Sequence, residues 1–250
     1  MKIVHIAHTY LDNYSYQENE LPEVQARLGS EVTVISTQDY AHCFNYQVPD
    51  LSLLDSYCYY IGQCKIVRLP LKFNVNYRFA MYKGLFKTLV AEHPDLIFFH
   101  EIPYFCLWDV IKYLKKEPHC QLFVDYHCDE YNSGHNMLSR LFLHKCLYRL
   151  MVKLTDKYVK IRYVVTPSTG IFIKKMYGID DSKIKLLPLG GDLKKMNVCN
   201  AAKIRKEIRA ELGINDQDIL IVSAGKMNRE KNIHLLIQAY NKLIKTRDVK

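Results

Sequence analysis

The chain has 250 residues, of which 49% are hydrophobic and 24% are charged. This is the composition of a globular protein with one large domain or two small ones, and it excludes a disordered or low-complexity chain. No apolar run approaches the roughly 20 residues of a membrane-spanning helix, and the apolar N-terminus is too short and too quickly followed by polar residues for a signal peptide.

The net charge is +9 and eight cysteines are present. A basic protein can meet nucleic acid, an anionic membrane or a phosphorylated substrate. The sequence contains no zinc-finger, RNP or basic heptad pattern, so we expect no nucleic-acid partner. No two cysteines have C-x-x-C spacing, which favours free thiols in a reducing compartment and predicts a cytoplasmic protein.

The first elements predict a βαβ unit. An apolar strand is expected over 2–8, a helix over 17–28 that ends at Gly29, and a second strand over 31–36. Pro22 fits that helix only in its first turn. A crossover of this kind implies a parallel sheet with helices on its faces.

The same alternation continues as far as residue 187, apart from residues 40–62, which show no clear period. Further strands are predicted at 65–69, 95–99, 121–125, 163–166 and 183–187, and further helices at 77–91, 104–115, 137–154 and 169–177. The predicted fold class is therefore α/β, with a doubly wound, Rossmann-like parallel sheet.

Residues 188–192 form the strongest group of structure-breaking residues in the chain and predict a domain boundary near 190–200. The elements predicted beyond it are a helix at 201–212, a strand at 218–223 and a helix at 231–244. One strand and two helices cannot bury the apolar face of the last helix. We therefore expect a first domain over 1–195 and an incomplete start of a second Rossmann-like domain over 196–250.

Two loops at the carboxyl ends of early strands contain candidate ligand contacts, because open parallel sheets bind ligands at those ends. The loop after the first strand contains Tyr10, Asp12 and Tyr16, which offer hydroxyl groups and a carboxylate. His100 follows the strand at 95–99. Each has an alternative explanation: the loop as an ordinary surface connection, and His100 as a hydrogen-bonded structural histidine.

A third loop, after the strand at 121–125, is the densest polar segment of the chain. It contains Asp125, His127, Asp129 and Asn132. Such clusters can hydrogen-bond a sugar or another acceptor and can shift pKa values. Metal binding is a rival interpretation, although neighbouring residues rarely converge on one ion, and capping of local turns is a third.

A fourth loop, at 225–231, lies between a predicted strand and a predicted helix. It contains Lys226 and Lys231. A helix N-terminus with lysines beside it can bind phosphate. The sequence contains neither the G-x-x-x-x-G-K-[ST] loop nor G-x-G-x-x-G, and a merely solvated basic loop is the alternative.

Taken in order, several segments resemble the family 4 glycosyltransferases, which have the GT-B fold. The segments are 2–6, 29–36, 94–97 before a histidine, 164–168, 177–179, 183–192, 225–226 and 231–233. The resemblance implies two Rossmann-like domains, the first binding the acceptor and the second the nucleotide-sugar. It also implies transfer with retention of configuration and no metal or other cofactor, the nucleotide-sugar being a substrate.

By the same resemblance, His127 matches the histidine close to the transferred sugar, and Lys226 and Lys231 match the basic pair that neutralises the donor pyrophosphate. Three departures stand out. Residues 14–16 replace the usual glycine pair, so the acceptor pocket is expected to differ. Lys226 replaces an arginine and loses its bidentate fork. The acidic E-x7-E motif of the family would lie beyond residue 250.

The expected function is transfer of a sugar from a nucleotide-sugar donor to a glycan or lipid-linked acceptor, with this chain inactive alone. Two alternatives stay open: a non-catalytic subunit that docks an acceptor or a partner chain, and a metal hydrolase using His127 and Asp129. The basic helix near 138–154 either contacts an anionic membrane peripherally, at its inner face, or presents a solvated basic side.

Overall fold

The computed structural model describes residues 1–12, 14–38, 57–75, 79–101, 105–131, 133, 137, 139–192, 195, 198–225 and 231–246. The chain divides into two compact units, Met1–Asp192 and Leu193–Lys250.

The first unit is built on a parallel sheet. Its strands, with those of a separate hairpin, are β1 (Lys2–Ile6), β2 (Glu31–Thr37), β3 (Tyr57–Ile61), β4 (Cys64–Leu69), β5 (Leu71–Val75), β6 (Phe79–Tyr82), β7 (Leu96–Phe99), β8 (Gln121–Tyr126), β9 (Val159–Val164) and β10 (Ile184–Leu186). Eight strands form the sheet in the order β10-β9-β8-β7-β1-β2-β4-β3, while β5 pairs with β6. Every pair in the large sheet is parallel except β3 with β4.

Helices cover the sheet between these strands. They are α1 (Gln17–Arg27), α2 (Leu85–Glu92), α3 (Leu107–Lys116), a π-helix (Ser139–Tyr148), α4 (Arg149–Thr155) and α5 (Pro167–Tyr177), with short 3-10 turns at Asp156–Tyr158 and Asp181–Lys183. The chain first builds the sheet outward from β1 to β2 and β4, then returns to the other side of β1 at β7. This reversal is the switch point of a doubly wound fold, and the predicted fold class is confirmed.

The core consists of two apolar clusters, one on each face of the sheet. Successive side chains of a strand point to opposite faces. Accordingly Val4 belongs to the cluster that contains the apolar residues of α2, α3 and α5. Ile3 belongs to the other cluster, together with Ala26 of α1. Burial on both faces explains why β7 is a continuous apolar run and why β1 is apolar apart from Lys2 and His5.

Two predicted elements of the first unit are placed differently. The helix predicted at 77–91 is β6 followed by α2, and Gly84 separates them with a φ of +89° that few other residues adopt. The strand predicted at 163–166 lies earlier, as β9. Pro167 opens α5, and the hydroxyl of Thr166 caps that helix by accepting the N–H of Thr169.

Two predicted helices also depart from expectation. Pro22 lies inside α1, beyond its first turn, so the helix tolerates the loss of one N–H donor there. The long helix predicted at 137–154 is a π-helix that leads into the short α4. Its wider turn is a rare backbone geometry that sequence periodicity does not report.

The second unit contains α6 (Ala201–Glu211), α7 (Ile233–Thr246) and a 3-10 turn at Val198–Asn200. The strand predicted at 218–223 does not form, and Ile219 is exposed. Among the described residues of this unit no other strand is present, and a strand without a partner leaves its backbone groups unpaired. That this unit begins a nucleotide-sugar-binding domain stays a prediction.

Replacing Ile97 with alanine should destabilise the first unit. Ile97 is fully buried in β7 at the centre of the sheet, and such truncations typically cost about 2–5 kcal/mol. The control is Ile171→Ala in α5, where the same side chain is mostly exposed and the expected change is within about 0.5 kcal/mol. Urea unfolding followed by circular dichroism measures both. Equal losses in the two variants would contradict this placement of the core.

Candidate functional site

Polar side chains from three neighbouring strands meet at the switch point between β1 and β7. His100 follows β7, Asp125 lies near the end of β8, and His127 comes directly after β8. Positions 125 and 127 share one face because strand side chains alternate. His5 of β1 lies on the same face, which α1 covers with Gln17 and Gln25.

Asp125 is the centre of this group. Its Oδ2 lies 2.8 Å from Nδ1 of His100 and 3.4 Å from Nε2 of His127. Its Oδ1 accepts the backbone N–H of Glu101 at 2.9 Å, and Gln17 donates from Nε2 to Oδ2 at 3.3 Å. A fully buried carboxylate is thus surrounded by donors.

His5 extends the group into the core. Its Nδ1 lies 2.9 Å from Nε2 of His100, and its Nε2 lies 2.7 Å from Oε1 of Gln25. With the amide oxygen of Gln25 facing it, His5 donates from Nε2 and accepts at Nδ1. His100 lies between His5 and Asp125, with its Nε2 facing His5 and its Nδ1 facing Asp125. We call Gln25, His5, His100, Asp125 and His127 the histidine chain.

Electrostatics divide the histidine chain into a neutral end and a charged end. Burial lowers the pKa of His5 to about 3, aided by the nearby His100 and opposed by Gln25 and Asp125. Burial alone would raise the pKa of Asp125, but His100 and His127 hold it well below its usual range. For His127, burial alone would lower the pKa. The carboxylate of Asp125, and then those of Glu101 and Glu18, instead raise it to about 9. At neutral pH His127 is therefore an imidazolium paired with a carboxylate.

This ion pair makes folding depend on pH. The folded-state pKa of His127 exceeds its ordinary 6.5, so its stabilisation is complete below pH 6.5 and is lost as pH rises through about 9. The folded-state pKa of Asp125 lies below its ordinary 3.8. Its stabilisation is therefore present above pH 3.8 and is lost as pH falls.

Exposure distinguishes the members of the histidine chain. The side chains of His100 and Asp125 are at most 1% exposed, whereas that of His127 is 20% exposed. His127 can therefore touch a ligand directly, while the other two orient it. Glu101, beside them, adopts a φ of +59°. Strained backbone of this kind often occurs at functional sites.

Two residues predicted in the first loop have internal partners. The carboxylate of Asp12 pairs with the buried guanidinium of Arg68 at 3.0 Å and accepts the hydroxyl of Tyr59 at 2.8 Å. The ring of Tyr10 is buried, with the Arg68 guanidinium 5.4 Å from its centre. Both residues thus help to neutralise and cover a buried cation. Their contact with an acceptor stays a prediction.

The remaining predicted residues are spread over the chain. Tyr16 is exposed just before α1, its ring centre 5.6 Å from that of Tyr14. Asp129 accepts the N–H of Tyr131 at 2.8 Å, as the capping interpretation expects. Lys231 lies in the second unit, just before α7, and its binding of phosphate stays a prediction. Asn132 and Lys226 lie outside the described residues.

Within the described ranges, no three histidine, cysteine, aspartate or glutamate side chains are grouped as a metal site would require. Sequence reasoning identified Asp125, His127 and His100 but missed His5 and Gln25. His5 lies inside an apolar strand and appears in the sequence as part of the core. A polar residue in an otherwise apolar buried strand was the one available signal.

Comparison with known proteins places this geometry in context. A family model described as "Glycosyltransferase Family 4" matches residues 19–195, more than two thirds of the chain. No curated protein sequence matches significantly.

Three solved structures share the fold. A glycosyltransferase from Rickettsia africae ESF-5 has a TM-score of 0.57 at 13% identity, with 97% of this chain covering 57% of that one. WaaG, a glycosyltransferase involved in lipopolysaccharide biosynthesis, has a TM-score of 0.51 at 15% identity, with coverages of 90% and 55%. An E. coli structure described as trehalose-6-phosphate bound with UDP-2-fluoro glucose has a TM-score of 0.51 at 9% identity, with coverages of 85% and 55%. The chain thus spans little more than half the length of each.

Imidazole titration by NMR should show that His127 keeps its proton to unusually high pH. We expect a midpoint near 9 in the wild-type protein, assigned by the loss of that signal in His127→Gln. In Asp125→Asn the midpoint should fall by more than two pH units, because burial then acts without the opposing carboxylate. A wild-type midpoint near 6.5 would contradict the ion pair.

Proposed function

Because this chain belongs to glycosyltransferase family 4, we propose that it forms the acceptor side of a retaining, metal-independent hexosyltransferase. The enzyme would move a sugar from a nucleotide-sugar to a glycan or lipid-linked acceptor. Three observations support this proposal: the family match, the doubly wound fold of the chain, and the position of the site at the switch point. The observation on which it rests most is the charged, partly exposed His127 held by Asp125.

The charge of His127 decides what it can do in such a reaction. The bond from the anomeric carbon to the diphosphate breaks and its electron pair leaves with the diphosphate. A bond to the acceptor oxygen forms, and the acceptor's proton passes to the departing diphosphate. A group with a pKa of about 9 holds its own proton at neutral pH, so His127 is a poor general base. It is well suited to donate a hydrogen bond to a sugar hydroxyl or to a phosphoryl oxygen as negative charge develops.

We assign the diphosphate of the donor to Lys226 and Lys231. The assignment draws on the family resemblance and on the basic character of the segment before α7. Two ammonium groups would offset the charge that accumulates on the departing nucleotide. Lysine makes point contacts where arginine would make a bidentate fork, so donor affinity should depend on both lysines together.

Two of the structural relatives support the substrate classes. One is bound with UDP-2-fluoro glucose, and the other acts in lipopolysaccharide biosynthesis. We therefore propose a nucleotide-sugar donor and a glycan or lipid-linked acceptor. We also propose a cytoplasmic location for the protein, based on the cysteine pattern of the sequence. A lipid-linked acceptor would bring it to the inner face of the membrane.

His127→Ala should abolish transfer without unfolding the protein. The assay uses the chain joined to a complete donor domain, which we call the full-length protein. It is incubated with UDP- and GDP-sugars and a bacterial lipid extract as acceptor, and nucleotide release is measured. We expect kcat/KM to fall at least about 100-fold, since a donor aimed at developing charge contributes an effect of this size.

The matched control is His119→Ala. His119 is exposed and lies outside the histidine chain, so activity should stay within about twofold of the wild type. Circular dichroism verifies that both variants are folded. Undiminished turnover in His127→Ala would remove His127 from the site.

A non-catalytic binding subunit is the second candidate, favoured by one feature of the second unit. Apolar side chains of α7, among them Leu236, Ile237 and Tyr240, are more than a third exposed. A subunit that borrows a donor domain would cover them with a second chain. Stable association with that chain, seen by light scattering, would favour this candidate. A monomer that turns over a nucleotide-sugar would exclude it.

A further inference from the structure

The helical segment formed by the π-helix and α4, residues 139–155, has two different faces. The inward face is buried and contains His144, Tyr148, Met151, Val152 and Thr155. His144 fixes that face through contacts of 2.9 Å from Nδ1 to the Tyr177 hydroxyl and 3.2 Å from Nε2 to the Ser133 carbonyl. The orientation of the segment is therefore determined by packing within the first unit.

The opposite face is apolar, although it is exposed. Its apolar members are Leu141, Phe142, Leu147, Leu150 and Leu154. Phe142 is 67% exposed, Leu150 55% and Leu154 52%. We call these five residues, with Lys145 and Lys153 among them, the outer face. Several large apolar side chains exposed on one helical segment of a folded protein usually mark an interaction site.

The charges on the outer face have one sign. Lys145 and Lys153 are exposed, and neither has an acidic partner among the described residues. The sequence contains no aspartate or glutamate between residues 131 and 155. Arg140, nearby, pairs with Glu130 at 3.2 Å and contributes less free charge. The occupant of this face therefore needs an apolar surface and negative charge.

We propose that the outer face binds an anionic lipid bilayer, with the segment lying in the membrane plane. Phe142 and the leucines would enter the boundary between headgroups and acyl chains while the lysines meet anionic headgroups. Within the described ranges, no helix is both long enough and apolar enough to cross a bilayer. The arrangement is that of a surface-binding helix, in which apolar and basic side chains share one exposed side.

A second copy of the chain fits the outer face less well. A twofold contact would bring Lys145 and Lys153 of both copies into one interface, and the segment has no carboxylate to pair with them. Like charges brought together at an interface oppose association. The proposed function explains only why such binding would be useful, because it would bring the site to a lipid-linked acceptor. The binding itself follows from the surface chemistry.

Vesicle flotation tests the proposal on the full chain without any turnover assay. Vesicles of 70% phosphatidylcholine and 30% phosphatidylglycerol are compared with pure phosphatidylcholine at low and high salt. We expect binding to the anionic vesicles only, weakened by salt. Lys145→Glu/Lys153→Glu should lower the partition coefficient about tenfold or more, and Phe142→Ser/Leu150→Ser should do so by a similar factor.

Matched variants distinguish the effect of the outer face from the effects of net charge and of any exposed apolar side chain. Lys87→Glu/Lys115→Glu makes the same change in net charge on exposed positions of α2 and α3, and Ile171→Ser removes an apolar side chain as exposed as Phe142. Both should bind within about threefold of the wild type. Equal loss in the charge control, or no binding to anionic vesicles, would overturn the proposal. So would a stable dimer or protein complex that Phe142→Ser/Leu150→Ser disrupts.

Because flotation needs neither donor nor acceptor, its outcome is independent of the transferase assignment. Vesicle binding by this chain, combined with no nucleotide release when the chain is joined to a complete donor domain, would support the outer face and count against the proposed function. Nucleotide release without vesicle binding would do the reverse.

Discussion

The arrangement of the site depends on one buried carboxylate. Asp125 is removed from water at the carboxyl end of β8, and an isolated buried charge would cost several kcal/mol. It is stabilised because imidazole rings approach it from β7 and from the end of β8, while the backbone N–H of Glu101 donates to its second oxygen. The register of β1, β7 and β8 is what brings these groups together.

One consequence is a cation of fixed position at the switch point. His127 is the most exposed of the ionised groups in the histidine chain, and its charge is a property of its neighbours rather than of the ring alone. For the proposed transfer from a nucleotide-sugar, a preorganised hydrogen-bond donor is more useful than a base of ordinary pKa. The buried His5 and His100 then hold Asp125 in place, and Asp125 in turn orients the hydrogen-bond donor His127.

Much of the first unit could be predicted from the sequence because its central strands are buried on both faces. Apolar runs identified β1, β2, β7 and β8, and Gly29 marked the end of α1. The failures have local physical causes. Phe79–Tyr82 is apolar enough for either a helix or a strand, and only pairing with β5 decides between them. Residues 218–223 have strand composition but no described strand to pair with.

The site was predictable only where its members are close in sequence. Asp125 and His127 are two positions apart at a strand end, so alternation places them on one face. The contact of His5 with His100 joins residues 95 positions apart, and only the strand order β1–β7 creates it. Asp12 shows the opposite limitation. Its position in a loop suggested a ligand contact, while the buried Arg68 that it neutralises comes from β4.

The pH dependence of turnover tests the central claim most directly, because it reports the charge of His127 in the working enzyme. In the full-length wild-type protein, kcat/KM should fall as pH rises through about 9, where His127 loses its proton. In Asp125→Asn the same fall should begin at least two pH units lower. Wild-type and variant profiles that fall at the same pH would contradict the claim that Asp125 keeps His127 charged.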